Sequence, residues 1–529
     1  MPRYIRITLI VLCLLAMASA VSLFTYGRFA DSAMGEPGQA IAPPSAQQMA
    51  RDPSNATPID RVMMPLTEAH PGKTGMSLIT GNTDAFTVRA LSAAHAGRSL
   101  DLQYYLWHDD LTGRLLAAQA LAAADRGVRV RVLIDDINAH GADAAFRSLD
   151  KHPGIEVRMF NPSRNRGGSV GRAAEILLRG MSLNKRMHNK AWIVDGQIAI
   201  VGGRNIGNEY FDAAQDTNFL DADVLLAGPA VAQTAAIFDD FWNSRAVIPI
   251  SALANDTDLS LDAVREVLRG IESTAVAKPY IEHLKNAKRV NALLAGEIAL
   301  HWDAQARVVS DPAAKVLRGE KTDPDTWLIA PIMRETQSAK RDLTVISPYF
   351  VPGEEGTREL TALAKRGVSV SILTNSLASN DVMAVHSGYA SYRKPLLEGG
   401  VALFELMPFG DTNNSLFGSS GASLHTKAFT VDGRRGFIGS FNFDPRSVQL
   451  NTEMGLIFDH PELAAELMAQ YREHAGPEKS YALSLERGDL RWEDRRTQPP
   501  KIWRTEPETS VWTRLIVEIL GWLPLESQL

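Results

Sequence analysis

Cysteine is nearly absent. Cys13 is the only one among 529 residues, so no internal disulfide and no CxxC metal site can form. HExxH is missing too, and with it the common zinc-hydrolase pattern. There is no basic excess: 55 Lys and Arg face 61 Asp and Glu, a net charge of −6, whereas a dedicated nucleic-acid binder is usually basic. What remains is 45% hydrophobic and 22% charged. That balance excludes disorder, collagen and a disulfide-stapled scaffold, and the length suits two or three domains with a sizeable core.

The N-terminus carries one long apolar run. Arg3 and Arg6 precede 21 uncharged residues, Ile7 to Gly27, enough for a helix across the ~30 Å hydrocarbon layer. The same stretch fits a secretory signal peptide with the small-residue site Ala18-Ser19-Ala20. Either reading sends the rest of the chain across a membrane while the arginines stay behind. Residues 1–28 are therefore expected to be a signal peptide or membrane anchor. Residues 29–75, rich in Pro, Ala, Gln and Ser at their start, are expected to be a flexible linker.

The body repeats itself at an offset of 237 to 240 residues. LDLQYYLWHDDLTGRLLAAQALAAADRGVRVRVLIDD (Leu100–Asp136) and DLTVISPYFVPGEEGTRELTALAKRGVSVSILTN (Asp342–Asn375) each read as strand, polar loop, amphipathic helix, an ArgGlyVal turn and a second strand. Strand–helix–strand units imply parallel pairing in an α/β layer architecture. A third strand follows in each copy, IEVRMF and VALFEL. The expected organisation is a first lobe at 76–259, a helical inter-domain segment at 260–335, a second lobe at 336–480 and an amphipathic tail at 481–529, with a pseudo-twofold site at the seam.

Each copy then carries one motif. MHNKAWIVDGQIAIVGGRNIGNEYF supplies His188, Lys190, Asp195, Gly196, Gly202 and Asn205; LHTKAFTVDGRRGFIGSFNFDPRS supplies His425, Lys427, Asp432, Gly433, Gly439 and Asn442. Offsets from the histidine are the same in both. Histidine and lysine two apart on a strand share a face, so one imidazole and one ammonium from each lobe can converge on a phosphate. The lysines neutralise its oxygens, and Asn205 and Asn442 can donate hydrogen bonds. Asp195 and Asp432 stand in AspGly turn pairs and are read first as structural and second as chemical.

These motifs resemble the HxKxxxxDG signature of the phospholipase D superfamily, over about residues 80 to 475. Within it the chain is most similar to bacterial cardiolipin synthases of the C type, on RMHNKAWIVDG with GGRNIGNEYF, on QYYLWHDDLTGR and on SLASNDVMAVHSGY. The resemblance implies duplicated phospholipase D-like domains with mixed and parallel sheets flanked by helices, and one active site at their interface. It also implies that one histidine forms a phosphohistidine and the other protonates the leaving alcohol. His188, Lys190, Asp195, His425, Lys427 and Asp432 are the catalytic candidates. The carboxylates matching the family's histidine-orienting positions are Asp223 and Glu453. Ser440 of the second copy is Gly203 in the first, so the half-sites are unequal.

No metal or cofactor is expected, since the lysines supply positive charge and zinc-ligand spacing is missing. The implied function is phosphatidyl transfer between membrane phospholipids, with phosphatidylglycerol and, as a further candidate, phosphatidylethanolamine as lipids. The expected location is the inner membrane facing the periplasm, or export after cleavage. The residues themselves leave water open as acceptor, as in a phospholipase D-type phosphodiesterase or a nuclease; a non-catalytic lipid-binding protein is the third class. Nucleic acid is not an expected partner. Two segments suit a membrane surface: the basic and apolar stretch Arg164–Lys190, and SVWTRLIVEILGWLPLESQL. In the latter, Val511, Leu515, Ile519 and Leu523 form a stripe that fits either a bilayer or the protein's own body.

Overall fold

The computed structural model describes residues 10–21, 39, 53–138, 143–163, 184–253, 259–317, 322–380, 382–408, 421–523 and 526–528. Strands of the first half are β1 (Thr74–Ile79), β2 (Ser99–Tyr104), β3 (Arg129–Asp135), β4 (Ile155–Phe160), β5 (Ala191–Val194), β6 (Ile198–Gly202), β7 (Thr217–Leu220), β8 (Asp223–Ala227) and β9 (Val247–Pro249). The connecting segment adds β10 (His301–Asp303) and β11 (Arg307–Ser310). The second half holds β12 (Asp342–Ile346), β13 (Ser369–Asn375), β14 (Ala402–Leu406), β15 (Gly421–Leu424), β16 (Ala428–Val431), β17 (Arg435–Gly439), β18 (Met454–Asp459), β19 (Ser480–Glu486), β20 (Asp489–Asp494) and β21 (Lys501–Trp503).

One sheet runs β10-β1-β8-β6-β5-β2-β3-β4-β9 and the other β11-β18-β17-β16-β12-β13-β14-β19-β20-β21. Their centres match strand for strand. β2-β3-β4 and β12-β13-β14 are parallel, and the motif hairpins β5-β6 and β16-β17 join them antiparallel. Each first helix, Leu111–Asp125 or Gly353–Lys365, stops at the ArgGly pair because Gly127 (φ 92°) and Gly367 (φ 90°) take the left-handed conformation that reverses the chain. The duplicated α/β architecture expected from the sequence is present.

Strand alternation divides each motif strand between two cores. Trp192 and Val194 pack within the first lobe, while Ala191 and Ile193 enter a cluster that also contains Ile346, Ala428, Ile438 and Leu456 of the second. Phe238 and Trp242 of helix Pro229–Trp242 and Leu463 and Leu467 of helix Pro461–His474 complete that shared core. Phe429 and Val431 face a third cluster confined to the second lobe.

Three boundaries differ from expectation. Residues 58–79 belong to the first lobe: helix Pro58–Ala69 buries Ile59 and Met63, and β1 follows at once. The segment 260–335 does contain helices, but β10 and β11 join opposite sheets. Residues 480–503 extend the second sheet, so the tail proper is the C-terminal helix Val511–Gly521. No helix among the described residues is long and apolar enough to cross a membrane. The stretch 164–183 lies outside the described residues.

Candidate functional site

The residues before each motif histidine pair with the opposite lobe. β15, which ends at Leu424, runs parallel to β7, ending at Leu220. His425 N–H then donates to Leu220 O at 2.8 Å. On the other side His188 N–H donates to Thr452 O at 2.9 Å. Each histidine therefore stands beside the chain that leads to the other lobe's carboxylate. His188 Nδ1 donates to Glu453 Oε2 at 2.8 Å, and His425 Nδ1 donates to Asp221 Oδ2 at 2.6 Å. A carboxylate can only accept, so each neutral imidazole keeps its proton on Nδ1 and its lone pair on Nε2.

Glu453 thus stands beside a motif histidine, whereas the carboxylate beside the other is Asp221 and not Asp223. Asp223 takes no part in holding His425. It is buried against Arg89 (2.9 Å) and Arg204 (3.3 Å) through Oδ2, and its Oδ1 accepts Arg204 N–H, so both oxygens serve the two buried arginines. Register identifies the true equivalent. Gly202 pairs with Asp223 and Gly439 with Gly455, so the position two residues before each partner is Asp221 in one lobe and Glu453 in the other.

Lys190 Nζ donates to His188 O at 2.7 Å and Lys427 Nζ to His425 O at 2.6 Å, and both lysines are buried. Lys190 lies 5.4 Å from the Tyr105 ring centre. Tyr105 meets the His188 ring edge-on, Tyr210 meets His425 edge-on, and Phe219 stacks on His425. Asn205 Nδ2 donates to Tyr210 OH at 2.8 Å; Oδ1 of Asn205 and Oδ1 of Asn442 are buried without a hydrogen-bond partner among the described residues.

Asp195 and Asp432 are not beside the histidines. They follow the far ends of β5 and β16, seven residues on and about 20 Å along an extended strand. Their carboxylates accept backbone N–H bonds from Gly97, Arg98 and Ser99, and from Lys340, Arg341 and Asp342. With φ of 54° and 55°, each followed by a positive-φ glycine, they form the tight turn that AspGly favours. Their place is structural, and the catalytic role considered for them has no geometry behind it.

Ser440 Oγ donates to Glu453 Oε2 at 2.5 Å, and Ser447 Oγ to Glu453 Oε1 at 2.9 Å. Burial by itself raises Glu453, but His188, Lys190 and the Ser440 bond together hold it below its ordinary value. Asp221 is pushed up by burial, against the pull of Lys427 and Arg204. In the first lobe a serine has no room: a Cβ on Gly203 would lie 2.3 Å from Asp221 Oδ1. The two half-sites thus differ in how well the carboxylate is stabilised.

Burial depresses both imidazoles. His188 is pushed down to about 4, with Glu453 opposing and Lys190 and Lys427 adding to the effect. His425 lies well below its ordinary value, lowered further by Lys427 and Lys190. Lys190 is itself lowered by burial and by Lys427. Lys190 and Lys427 disfavour further positive charge on each other and on the two buried rings, and an anion between them would offset that repulsion. The arrangement can hold a phosphate, attack it with one neutral Nε2 and protonate a leaving oxygen from the other ring.

Other supporting residues carried no clear signal in the sequence. Asp135, at the end of β3, accepts from Met187 N–H and pairs with Arg186. Asn375, at the end of β13, brackets Leu424 through both amide atoms. They fix the approach to His188 and His425 from equivalent places.

A family model described as "Cardiolipin synthase, PLD-like domain" matches residues 88–242 and 332–475, one match per lobe. The chain is 40% identical to Cardiolipin synthase C of Escherichia coli (strain K12) over 88% of its own length and 98% of that protein's. It is 26% identical to Cardiolipin synthase A of Pseudomonas putida over 67% of this chain and 59% of that one. Among solved structures, the phosphatidylserine synthase of Haemophilus influenzae Rd KW20 superposes with a TM-score of 0.55 at 12% identity, covering 89% of this chain and 100% of that one, a likeness of fold.

Proposed function

The chain belongs to the cardiolipin synthase family with phospholipase D-like domains, and from that premise we propose that it transfers a phosphatidyl group from one phospholipid to the alcohol of another. The observation that carries this reading is the crossed pair of imidazole–carboxylate bonds, His188 to Glu453 and His425 to Asp221. They leave two Nε2 atoms available in one cationic cleft.

In the first step His188 Nε2 forms a bond to phosphorus while the bond to the headgroup oxygen breaks, and that oxygen takes the Nε2 proton of a His425 imidazolium, which the negative charge of the bound phosphodiester stabilises. In the second, the hydroxyl of the acceptor lipid gives its proton back to His425 and displaces His188 from phosphorus. We assign the nucleophile to His188 because the phosphorylated ring carries charge on its Nδ1 side, where Glu453 is the better-stabilised anion. Lys190 and Lys427 balance the non-bridging oxygens. Asn205 and Asn442 fit an acceptor-only phosphate when their amides turn the NH2 toward it.

Phosphatidylglycerol is the proposed donor, with phosphatidylethanolamine a second substrate. The apolar run Ile7–Gly27 would keep the body at the membrane, outside the cytoplasm. Purified protein given labelled phosphatidylglycerol, alone and with phosphatidylethanolamine, should form a lipid with two phosphatidyl groups and release the small headgroup alcohol. His188→Ala and His425→Ala should each abolish this. Phosphatidic acid as the sole product would make water the acceptor and refute transfer.

A further inference from the structure

We propose that the outward face of the C-terminal helix is a lipid-docking surface that seats the mouth of the catalytic cleft on the bilayer, an inference that rests on the phospholipid reading above. A helix on the surface of a soluble body normally turns its apolar stripe inward. This one is reversed. Val511, Trp512, Leu515, Ile516, Ile519, Trp522 and Leu523 are all exposed, Trp512 and Trp522 by 74% and 75%. The side toward the protein is made of Thr513, Arg514, Val517 and Leu520, of which only Val517 is fully buried. At 100° per residue the outward group spans about 140° of the helix without a charge inside it.

The helix is nonetheless well formed. Ser510 Oγ caps it by accepting Thr513 N–H, and Arg514 is held against Thr509 O. It packs on helix Met383–Ala390, where Val382 and Met383 are exposed as well. The seven side chains offer on the order of 700 Å², more than the few hundred Å² that a soluble monomer usually shows in one patch.

Shape and placement favour a bilayer over a protein partner. The patch is a convex ridge on a single helix, and its two tryptophans lie about 15 Å apart along the axis, the amphipathic rings that prefer the headgroup level. Both ends of this C-terminal region contact segments that lead to the site. Before the helix, Glu506 Oε1 accepts from Arg393 Nη1, just past the helix that the tail covers. Ser379, at the other end of that stretch, accepts from Ser423 Oγ in the strand leading to His425. After the helix, Gln528 bonds Asn184 and Arg446, four residues from His188 and from Asn442 respectively. A lipid surface touching the ridge would thus lie beside the strands that carry the site.

The test uses the full chain in vesicles of phosphatidylglycerol and phosphatidylethanolamine. Cys13→Ser provides a background without cysteine, and nitroxide labels are attached at Leu515→Cys, Ile516→Cys, Glu518→Cys and Ile519→Cys in separate proteins. Collisions with oxygen and with a water-soluble nickel complex are measured by electron paramagnetic resonance. Docking predicts high oxygen and low nickel accessibility at 515, 516 and 519, with nickel access at 518. High nickel accessibility at all four positions means water and overturns the proposal. Low values for both reagents mean a protein cover, whether a second copy or the chain's own N-terminal run, and overturn it too. Leu515→Glu with Ile519→Glu should slow turnover of vesicle lipid at least ten-fold and leave a water-soluble phosphodiester unaffected. Lipid contact at these labels in a protein inactive on every phosphodiester would defeat the proposed function and leave docking intact.

Discussion

Two aspartates two residues apart do opposite work. Asp221 holds the His425 imidazole, and Asp223 neutralises Arg89 and Arg204 in the first lobe. Asp221→Asn should therefore lower turnover on the order of 10³–10⁴-fold, the scale at which loss of a carboxylate upsets a catalytic imidazole's tautomer, while the thermal midpoint barely moves. Asp223→Asn should cost roughly 3–5 kcal/mol of stability by leaving buried arginines uncompensated; calorimetry and a lipid-product assay on both variants separate the two roles. Periodicity could show that LDADV enters a strand, but only the ladder to Gly202 and Gly439 shows which aspartate matches Glu453. Histidines and lysines are legible because they recur at fixed spacing, whereas Glu453 is reached only through the family resemblance. Asp221 is not legible, because the loops before β8 and β18 differ in sequence. Protonation gives a second prediction at this scale. With His188 near 4 and His425 also depressed, both rings are neutral in the free enzyme at pH 7. A bound anion raises both values, so the complex holds more protons than the free protein. Binding of tungstate or vanadate should take up protons near neutrality and weaken as pH rises through the raised value. Titration calorimetry in two buffers of different ionisation enthalpy reads this directly, and proton release on binding would contradict it.

At the scale of elements, the motif is a hairpin whose two ends have separate duties. The AspGly end fastens the turn to the start of β2 or β12, and the histidine end reaches across the seam. The residue after the motif glycine tunes the carboxylate: Ser440 donates to Glu453, whereas Gly203 makes room for the shorter Asp221. Gly203→Ser should push Asp221 off His425 and lower turnover about 10²-fold, in line with the cost of misplacing a catalytic group. Ser440→Ala should lower it about ten-fold through one lost hydrogen bond to a charged group, with both variants still folded by circular dichroism. Equal losses in the two would mean that the half-sites are not specialised. Parallel strand trios and AspGly turns were readable because each rests on local chemistry. Helix Pro58–Ala69 was missed although Thr57 and Asp60 form a reciprocal capping box at its start, a signal masked by the Pro- and Gln-rich residues before it. The hairpin β19-β20 also carries its turn in Arg487-Gly488 (φ 53° and 87°), yet it lies beyond the repeat and so looked like tail.

At the scale of the whole molecule, duplication has produced one folding unit. The shared core holds β1, β6 and β8 of one lobe together with β12, β16, β17 and β18 of the other, and two helices seal it. Around this core the seam is stitched by backbone pairing of β7 with β15 and of Met187 with Thr452. Pseudo-twofold symmetry was visible in the repeat, but the exchange of carboxylates was not. It depends on which chain lies beside each histidine after the lobes close, a contact between residues 204 and 265 positions apart. Neither half can complete its own site, and neither can bury its face of the common core alone. The intact protein should therefore unfold in a single calorimetric transition, with the calorimetric enthalpy equal to the van't Hoff enthalpy. A phosphate analogue, bound only when both lobes are in place, should raise that one midpoint as its concentration increases. Two resolved transitions, with the analogue shifting only one, would mean that each lobe folds and binds by itself. The crossed histidine–carboxylate pairs would then be a contact between finished domains rather than the reason the domains are joined.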